Sequence, residues 1–205
     1  NFRYISKFLR FYGVKKVDGI LADLGVSSHQ FDSAERGFST RFDAELDMRM
    51  NSSDALSAFE VVNTYSEEAL AQVLYQYGEL RNSRALAKEI VQAREEAKVS
   101  TSFQLKEVLR RFLPRSKEHK ILAQIFQAIR MALQKDLENL ERCLTNLADH
   151  MAPGARLVLL CYHSLESRCV RRVLRELSDS EGLPVWELAV KKAQAPERDE
   201  IRRNP

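Results

Sequence analysis

Two short apolar stretches decide the fold: VDGILADLG at residues 17–25 and ARLVLLCYHS at residues 155–164. Each is mostly aliphatic, is shorter than a typical helix, and becomes polar only at its carboxyl end. Continuous apolar runs of this kind are typical of strands that are buried in a parallel sheet. The sequence therefore predicts two parallel strands, whose polar ends at residues 23–25 and 162–164 lie on the same edge of the sheet.

Helical periodicity surrounds these strands. Residues 3–12 predict a helix before the first strand, and a capping box formed by Thr64 and Glu67 predicts the start of a block of three short helices. Apolar residues at steps of three and four predict one long helix over residues 120–150, which Pro153-Gly154 ends. A short helix follows the second strand, and residues 184–193 predict a third strand. Strands alternating with helices indicate a parallel α/β sheet, in which ligands bind outside the carboxyl ends of the strands.

Composition excludes several classes of protein. The chain has 205 residues, of which 44% are hydrophobic, and a net charge of only +3, so a disordered chain is excluded and a nucleic-acid partner is permitted but not required. No apolar run approaches the roughly 18 residues that a membrane span needs. Three cysteines without CxxC spacing (Cys143, Cys161 and Cys169) and four scattered histidines predict neither disulfides nor a metal site, which favours the cytoplasm.

The seven glycines form neither a G-x-G-x-x-G sequence nor a Walker loop, so no stretch of this chain cradles a phosphate by itself. The chain begins at Asn1 rather than methionine and stops at Pro205 in the middle of a pattern. We therefore expect a fragment of a longer protein. If the sheet binds a cofactor, its glycine-rich loop is expected before Asn1.

Two polar positions at the strand ends suggest chemistry, and each has a structural alternative. Asp23 could accept hydrogen bonds from a ligand amino group, or could simply cap the turn before Leu24-Gly25. His163 and Ser164 are adjacent, and neighbouring strand residues point to opposite faces, so they do not form a nucleophile–base pair. We expect Ser164 to cap the helix that follows and His163 to position a ligand.

Two basic segments suggest contacts with RNA. Residues 35–50 mix arginines with phenylalanines, a combination suited to bases and phosphates, although composition alone favours a solvated loop with a few anchoring hydrophobic residues. Four arginines after the second strand are spaced to share one helical face, which could bind phosphates or could be a solvated face relieved by Glu176. This arginine stripe comprises Arg168, Arg171, Arg172 and Arg175.

The stretch DGILADLGVSSHQFDSAERGFSTRFDAELDMRM at residues 18–50 closely resembles the signature of the RsmH/MraW family. Three further stretches agree with that family in the same order: EVVNTYSEEALAQVLYQYGE at 60–79, FQAIR at 126–130 and YHSLESR at 162–168. The closing KKAQAPERDEIRRNP at 191–205 is similar to the family's lysine-rich turn and its Arg-Asn-Pro element. Members of this family are methyltransferases that act on the small-subunit ribosomal RNA.

The resemblance implies transfer of a methyl group from S-adenosylmethionine to the N4 amino group of a cytidine in the decoding region of 16S rRNA. The implied partner is 16S rRNA or the small ribosomal subunit, with no membrane involved, and a homodimer stays open. The implied fold is α/β, a Rossmann-like methyltransferase sheet with an inserted small all-helical domain. Residues 1–53 and 119–205 would then be the two parts of the methyltransferase domain, and residues 54–118 the inserted substrate-recognition domain.

The resemblance places the family's cofactor contacts on Phe2, Asp23 and Gln30. By analogy with amino-methyltransferases in general, the catalytic candidates are Asp23 and His163, with no metal. The substrate-binding candidates are Asp47, Arg49, Ser164, Arg168, Arg171, Arg172 and Arg175.

The chain departs from the family pattern at a few positions. Ala44-Glu45 replaces Gly-Pro, Ser167 replaces an aspartate, and residues 131–136 replace Ile-x-Val-Asn-x-Glu, so that Gln134 stands where the family has asparagine. Loss of a substrate contact at Gln134 would weaken activity. The alternative function is therefore a non-catalytic RNA-binding or ribosome-assembly module that has lost its cofactor site.

Overall fold

The sheet consists of two parallel strands in the part of the chain that the structure describes. This computed structural model describes residues 2–25, 36–51, 53–178, 186–187, 189–190 and 194–203. Strand β1 spans Val17–Asp23 and pairs in parallel with strand β2, Met151–Leu160, in a register that places Asp23 opposite Leu160. The predicted parallel pair is confirmed, although β2 begins four residues earlier than the sequence suggested. Pro153-Gly154 therefore lies inside the strand and does not end a helix.

The prediction that both strands are fully buried is wrong for one face of the sheet. Ile20 and Ala22 pack against a hydrophobic cluster on one side, whereas Leu21 on the other side is 70% exposed and Val158 is 50% exposed. Side chains of a strand alternate between faces, so a sheet covered on one side buries every second residue. Among the described residues, helices cover only that one face.

Along the chain, a short helix precedes β1 and a block of short helices lies between β1 and β2. Helix α1 spans Ile5–Phe11 after a 3-10 turn at Phe2–Tyr4, which confirms the predicted first helix. The helical block consists of α2 (Ala58–Thr64), α3 (Glu67–Gln76), α4 (Ser83–Glu96) and α5 (Ser102–Val108), followed by a 3-10 turn at Arg110–Phe112.

The caps of this block differ in part from the prediction. Ser66, not Thr64, caps α3 by accepting a hydrogen bond from the backbone amide of Ala69 at 3.2 Å, because Thr64 is still the last residue of α2. Helix α5 is capped by Thr101, whose hydroxyl accepts from the Gln104 amide while the Gln104 side chain accepts from the Thr101 amide.

The predicted single helix over residues 120–150 is two helices. Helix α6 spans Glu118–Gln134, helix α7 spans Asp136–Leu147, and Lys135 between them adopts a left-handed conformation with φ of 53°. The apolar spacing continues across this break because both helices are amphipathic. They pack, however, into different hydrophobic clusters, so the chain must change direction at Lys135.

Two hydrophobic clusters organise the described residues. The first runs from Phe38, in the loop at residues 36–51, through the helical block to α6. The second joins α7 and helix α8 (Ser164–Ser178) to the sheet and the N-terminal turn. The most deeply buried side chains of the first cluster include Leu46, Met48, Leu86, Ile90, Leu105, Ile125 and Ile129. The division into domains at residues 53 and 118 stays a prediction.

The C-terminal part is described only in pieces. A short helix, α9, spans Arg198–Arg203. The predicted strand at 184–193 lies largely outside the described residues, and residues 186, 187, 189 and 190 are not in a strand. Within the described ranges, no helix is long and apolar enough to cross a membrane, and no three His, Cys, Asp or Glu side chains cluster in a way that could hold a metal ion.

Candidate functional site

The carboxyl ends of the two strands meet through a side-chain hydrogen bond. The Tyr162 hydroxyl donates to Asp23 Oδ1 at 2.7 Å, and the backbone amide of Leu24 donates to the Leu160 carbonyl at 3.2 Å. This bond to the Asp23 carboxylate raises the pKa of Tyr162. Both side chains are exposed, so the prediction that the two polar strand ends share one edge is confirmed, and Asp23 is open to a ligand.

A buried glutamate organises the start of α8. Glu166 is only 3% exposed, and its Oε2 accepts a hydrogen bond from the backbone amide of Tyr162 at 2.9 Å. His163 Nε2 lies 3.1 Å from Glu166 Oε1, although the angle between the groups is not that of a hydrogen bond. His163 Nδ1 in turn accepts from the Glu166 amide at 3.4 Å, so His163 rather than Ser164 caps the helix. The predicted capping role of Ser164 is wrong because Ser164 is already the first helical residue.

Two adjoining cavities open at this edge. The Asp23 cavity, of about 320 Å³, is lined among others by Phe2, Asp23, Gly25, Asp136, Asn139 and Glu166. The Arg130 cavity, of about 250 Å³, is lined among others by Gly25, Phe38, Phe126, Arg130, His163 and Glu166. Gly25 and Glu166 line both, so a ligand in one cavity would lie beside a ligand in the other. Phe2 and Asp23 are thus brought together as predicted, whereas Gln30 lies outside the described residues.

Opposing charges lie in the wall between the cavities. Arg130 Nε lies 3.7 Å from Asp136 Oδ2, and the Arg130 side chain is 11% exposed. Burial raises the pKa of Asp136, and the neighbouring Arg130 only partly opposes that effect. Burial would also raise the pKa of Glu166, but contact with His163 and the Tyr162 amide lowers it overall. The wall therefore holds two carboxylates with opposite pKa shifts.

These shifts predict opposite pH dependence for two conservative variants. Glu166, with its lowered pKa, stabilises the fold near neutral pH, and this contribution is lost as the pH falls below 4.5. Asp136, with its raised pKa, contributes most in acid, and its contribution is lost as the pH rises above 3.8. Denaturant unfolding from acid to neutral pH measures the free energy of unfolding of each variant relative to the wild type. As the pH rises, this difference should fall for Glu166→Gln and rise for Asp136→Asn. Curves that change in the same direction would contradict the assigned shifts.

The loop at residues 36–51 is held by polar contacts within itself and to the end of α6. Arg49 Nε donates to Asp47 Oδ1 at 2.7 Å, and this contact with Arg49 lowers the pKa of Asp47 despite partial burial. Arg36 Nη2 donates to the Arg49 carbonyl at 2.6 Å. Gln134 Nε2 donates to the Met48 carbonyl at 2.9 Å, so the residue that departs from the family pattern holds this loop in place. Substrate binding by Asp47 and Arg49 stays a prediction.

The arginine stripe on α8 divides into paired and unpaired members. Arg168 Nη2 donates to Glu79 Oε1 at 2.6 Å, and Ser164 Oγ donates to Glu79 Oε2 at 3.0 Å. Arg172 binds Glu141 at 2.7 Å and also pairs with Glu176. Arg171 and Arg175 are exposed, and neither meets a carboxylate among the described residues. The stripe is thus partly the solvated face that the sequence left open, and phosphate binding by its members stays a prediction.

Several residues of the site were missed by reasoning from the sequence. Arg130, Asp136 and Glu79 were not proposed, although FQAIR and QYGE were noted as stretches of family resemblance that end in Arg130 and Glu79. Periodicity places Arg130 on a helix without showing that its guanidinium reaches a cavity. Glu79 was also hidden, because its contacts with Ser164 and Arg168 join segments 85 and 89 residues apart.

Comparison with known proteins gives consistent matches. The model of the MraW methylase family matches residues 1–205. A ribosomal RNA small subunit methyltransferase H from Flavobacterium psychrophilum is 55% identical over 175 residues, which cover 85% of this chain and 60% of that protein. The protein of the same name from Christiangramia forsetii is 54% identical over 175 residues, with 85% and 58% covered. That from Bacteroides fragilis is 46% identical over 215 residues, covering 100% of this chain and 70% of the relative.

The family match covers the stretches that build both cavities, including the strand ends, the loop before the helical block and the start of α8. The chain spans about three fifths of the length of the first two of these relatives. A match of the family model over every residue, together with identities above half, shows a common family, and the chain belongs to the MraW methylase family.

Proposed function

We propose that the complete gene product transfers a methyl group from S-adenosylmethionine to the N4 amino group of a cytidine in the decoding region of 16S rRNA. The observation that carries this proposal is the pair of adjoining cavities at the carboxyl ends of β1 and β2. A group-transfer enzyme must hold donor and acceptor side by side in line, and positioning of this kind can contribute several kcal/mol to catalysis. The shared wall at Gly25 and Glu166 supports such an arrangement.

The names of the relatives support the same reaction class. Each of the three relatives compared above is named for methylation of the small-subunit RNA, and one of them matches the full length of this chain. They do not favour the non-catalytic RNA-binding module. We place the two strands in a Rossmann-like methyltransferase sheet and propose that residues 54–118 form its inserted helical domain. The proposed site of action is the cytoplasm, where small ribosomal subunits are assembled.

The Asp23 cavity fits the cofactor by the chemistry of its lining. It combines the apolar ring of Phe2 with the carboxylates of Asp23, Asp136 and Glu166. S-adenosylmethionine, when bound, supplies an electrophilic methyl group on a positively charged sulfonium, together with an ammonium group and an adenine ring. Phe2 would pack against the adenine, and the carboxylates would offset the positive charges. Gln30 is proposed as a further cofactor contact.

The residues of this chain would make a poor nucleophile reactive by positioning it. The lone pair of a cytosine amino group is delocalised into the ring, so its attack needs acceptors for the amino hydrogens that let the nitrogen become pyramidal. Asp23 Oδ2 accepts no hydrogen bond from the described residues, and Oδ1 is held by Tyr162. We assign Asp23 as the acceptor and His163 as a neighbouring group that assists it. The target base must leave the RNA stack to reach them.

The test uses the complete gene product, labelled S-adenosylmethionine and small ribosomal subunits that lack the modification. Mass spectrometry should locate the label on the amino nitrogen of one cytidine in the decoding region. Label on another base, or on protein, would overturn the proposed substrate. Binding of the subunits without any transfer would favour the non-catalytic module instead.

The division of the arginine stripe predicts unequal effects on RNA binding. The double variant Arg171→Gln/Arg175→Gln should weaken binding to the subunit and lower the slope of log affinity against log salt by about 1.5, because two phosphate contacts of roughly 0.7 to 0.9 each are lost. Filter binding at several salt concentrations measures both quantities.

The matched control is Arg172→Gln on the same face. Its guanidinium already binds Glu141 and Glu176, so its loss should change the salt slope by less than half as much. Equal slopes for the double variant and the wild type would make the stripe a solvated face without a phosphate partner.

A further inference from the structure

The Arg130 cavity is lined by a largely buried cation that the described residues leave without a full set of hydrogen bonds. The side chain of Arg130 is 11% exposed, and its Nε is shielded from solvent without any hydrogen-bond partner. A guanidinium carries five N–H donors, and the one on Nε meets no acceptor in the part of the chain described here. Leaving a buried donor unpaired is unfavourable, so a ligand that brings acceptors would relieve this penalty.

Asp136 does not supply the missing hydrogen-bond acceptor for Arg130. Its Oδ2 lies 3.7 Å from Arg130 Nε, which is too long for a hydrogen bond, and Asp136 lines the other cavity. Burial keeps the pKa of Asp136 raised even beside this arginine, as expected for a weakly coupled pair. The guanidinium therefore lies beside the cavity without a close ion pair to Asp136.

The remaining lining fits a planar aromatic ligand. Phe38 and Phe126 are each 5% exposed and both line the cavity. Enzymes that act on a flipped base stack it against apolar or aromatic side chains and read its Watson–Crick edge by hydrogen bonds. The cavity therefore combines an apolar aromatic surface with one strong set of donors.

We propose that Arg130 is the specificity-determining residue of the Arg130 cavity, where its guanidinium donates hydrogen bonds to the O2 and N3 atoms of the target cytosine. This inference rests on the proposed function and adds the residue that recognises the base. Cytosine presents acceptors at both O2 and N3, whereas uracil carries a hydrogen on N3 that would face the N–H groups of Arg130. The same contact places the exocyclic amino group at the far end of the base edge, away from Arg130.

The experiment pairs a side-chain change with an atom change in the RNA. Small subunits are reconstituted with RNA that carries either cytidine or 3-deazacytidine at the target position, so that only the N3 acceptor is replaced. Methyl transfer is measured for the complete wild-type protein and for Arg130→Met. The change of base alters the intrinsic reactivity of the amino group equally for both proteins, so that effect cancels in the comparison.

We expect Arg130→Met to reduce kcat/KM on cytidine by about 10- to 100-fold, as for loss of a charged hydrogen bond. On 3-deazacytidine the reduction of kcat/KM caused by Arg130→Met should be at least fivefold smaller than on cytidine. Affinity for S-adenosylmethionine should stay within twofold, since Arg130 does not line the Asp23 cavity. If Arg130→Met does not fold, Arg130→Lys serves in its place, because it keeps the charge and loses the planar set of donors.

Equal losses on the two substrates would overturn this inference, because Arg130 would then act without touching N3. Failure of the wild-type protein to methylate cytidine-containing subunits would instead overturn the proposed function. The two failures are therefore distinguishable within one set of measurements.

Discussion

Replacing Gly37 with alanine is expected to destabilise the protein by at least about 3 kcal/mol. Gly37 has a φ of 67°, a left-handed conformation that costs a residue with a Cβ about 1 to 2 kcal/mol. A Cβ at this position would also collide with the backbone carbonyl of Glu45 and lie 3.2 Å from the amide of Asp47. Because both neighbours are backbone atoms, neither can rotate away as a side chain would. Denaturant unfolding monitored by circular dichroism measures the loss.

The control for this prediction is Gly154→Ala in strand β2. Gly154 has a φ of 77°, but nothing lies within 4 Å of the added Cβ, so this variant pays the conformational cost without the collision. The difference between the two variants isolates the close approach of Gly37 to residues 45–47. A loss at Gly37 no larger than that at Gly154 would show that the loop can move away from Glu45.

The consequence of Gly37→Ala extends to the site. The loop that Gly37 allows to close carries Phe38 and Met48 into the Arg130 cavity and Met50 into the Asp23 cavity. If the variant still folds, it should therefore lose binding in both cavities together. Sequence alone singled out this loop for its composition, but the need for glycine at position 37 follows only from the backbone that crosses it.

The part of the site that could be predicted from the sequence is the part that local pattern controls. The two apolar stretches end in polar residues, and parallel pairing brings Asp23 and Tyr162 to one edge. Strand direction and side-chain alternation are short-range properties, so they can be read along the chain. The family resemblance added Phe2, which lines the same cavity as Asp23.

The break at Lys135 could not be predicted because periodicity does not report where a helix changes partner. Leu122, Ile129 and Leu140 follow one helical spacing, yet the first two belong to the cluster of the helical block and the third to the cluster at the sheet. A left-handed lysine has no sequence signal comparable to glycine or proline. The break matters because it places Gln134 and Asp136 at the Asp23 cavity.

The carboxylate partners of the arginines could not be predicted from the sequence either. The four arginines of α8 look equivalent on a helical face, but Glu79 and Glu141, which bind Arg168 and Arg172, lie far away in sequence. Whether an arginine is available to a phosphate depends on such long-range contacts, which composition and spacing do not contain. The same reason conceals Arg130, because only the folded structure shows that its Nε has no hydrogen-bond partner among the described residues.

Replacing Asp23 with asparagine is expected to lower the affinity of the complete protein for S-adenosylmethionine by about 10- to 150-fold, which corresponds to a charge-assisted hydrogen bond of about 1.5 to 3 kcal/mol. The substitution keeps the shape of the side chain and an oxygen that can accept from Tyr162. Asp23 is exposed at the end of β1, so the fold should tolerate the change. The loss therefore reports the negative charge beside a cationic ligand, and titration calorimetry measures it directly.

Tyr162→Phe separates this charge from the geometry of the strand ends. It removes the 2.7 Å hydrogen bond to Asp23 Oδ1 but leaves the carboxylate, so affinity should fall by less than about threefold. A large loss in Tyr162→Phe with little loss in Asp23→Asn would mean that Tyr162 holds the cofactor and Asp23 only orients it. Equal affinity in all three proteins would remove both residues from the cofactor site and leave the carboxylates of Asp136 and Glu166 to match its charge. The charge of Asp23 is thus tested independently of turnover, because calorimetry needs no RNA substrate.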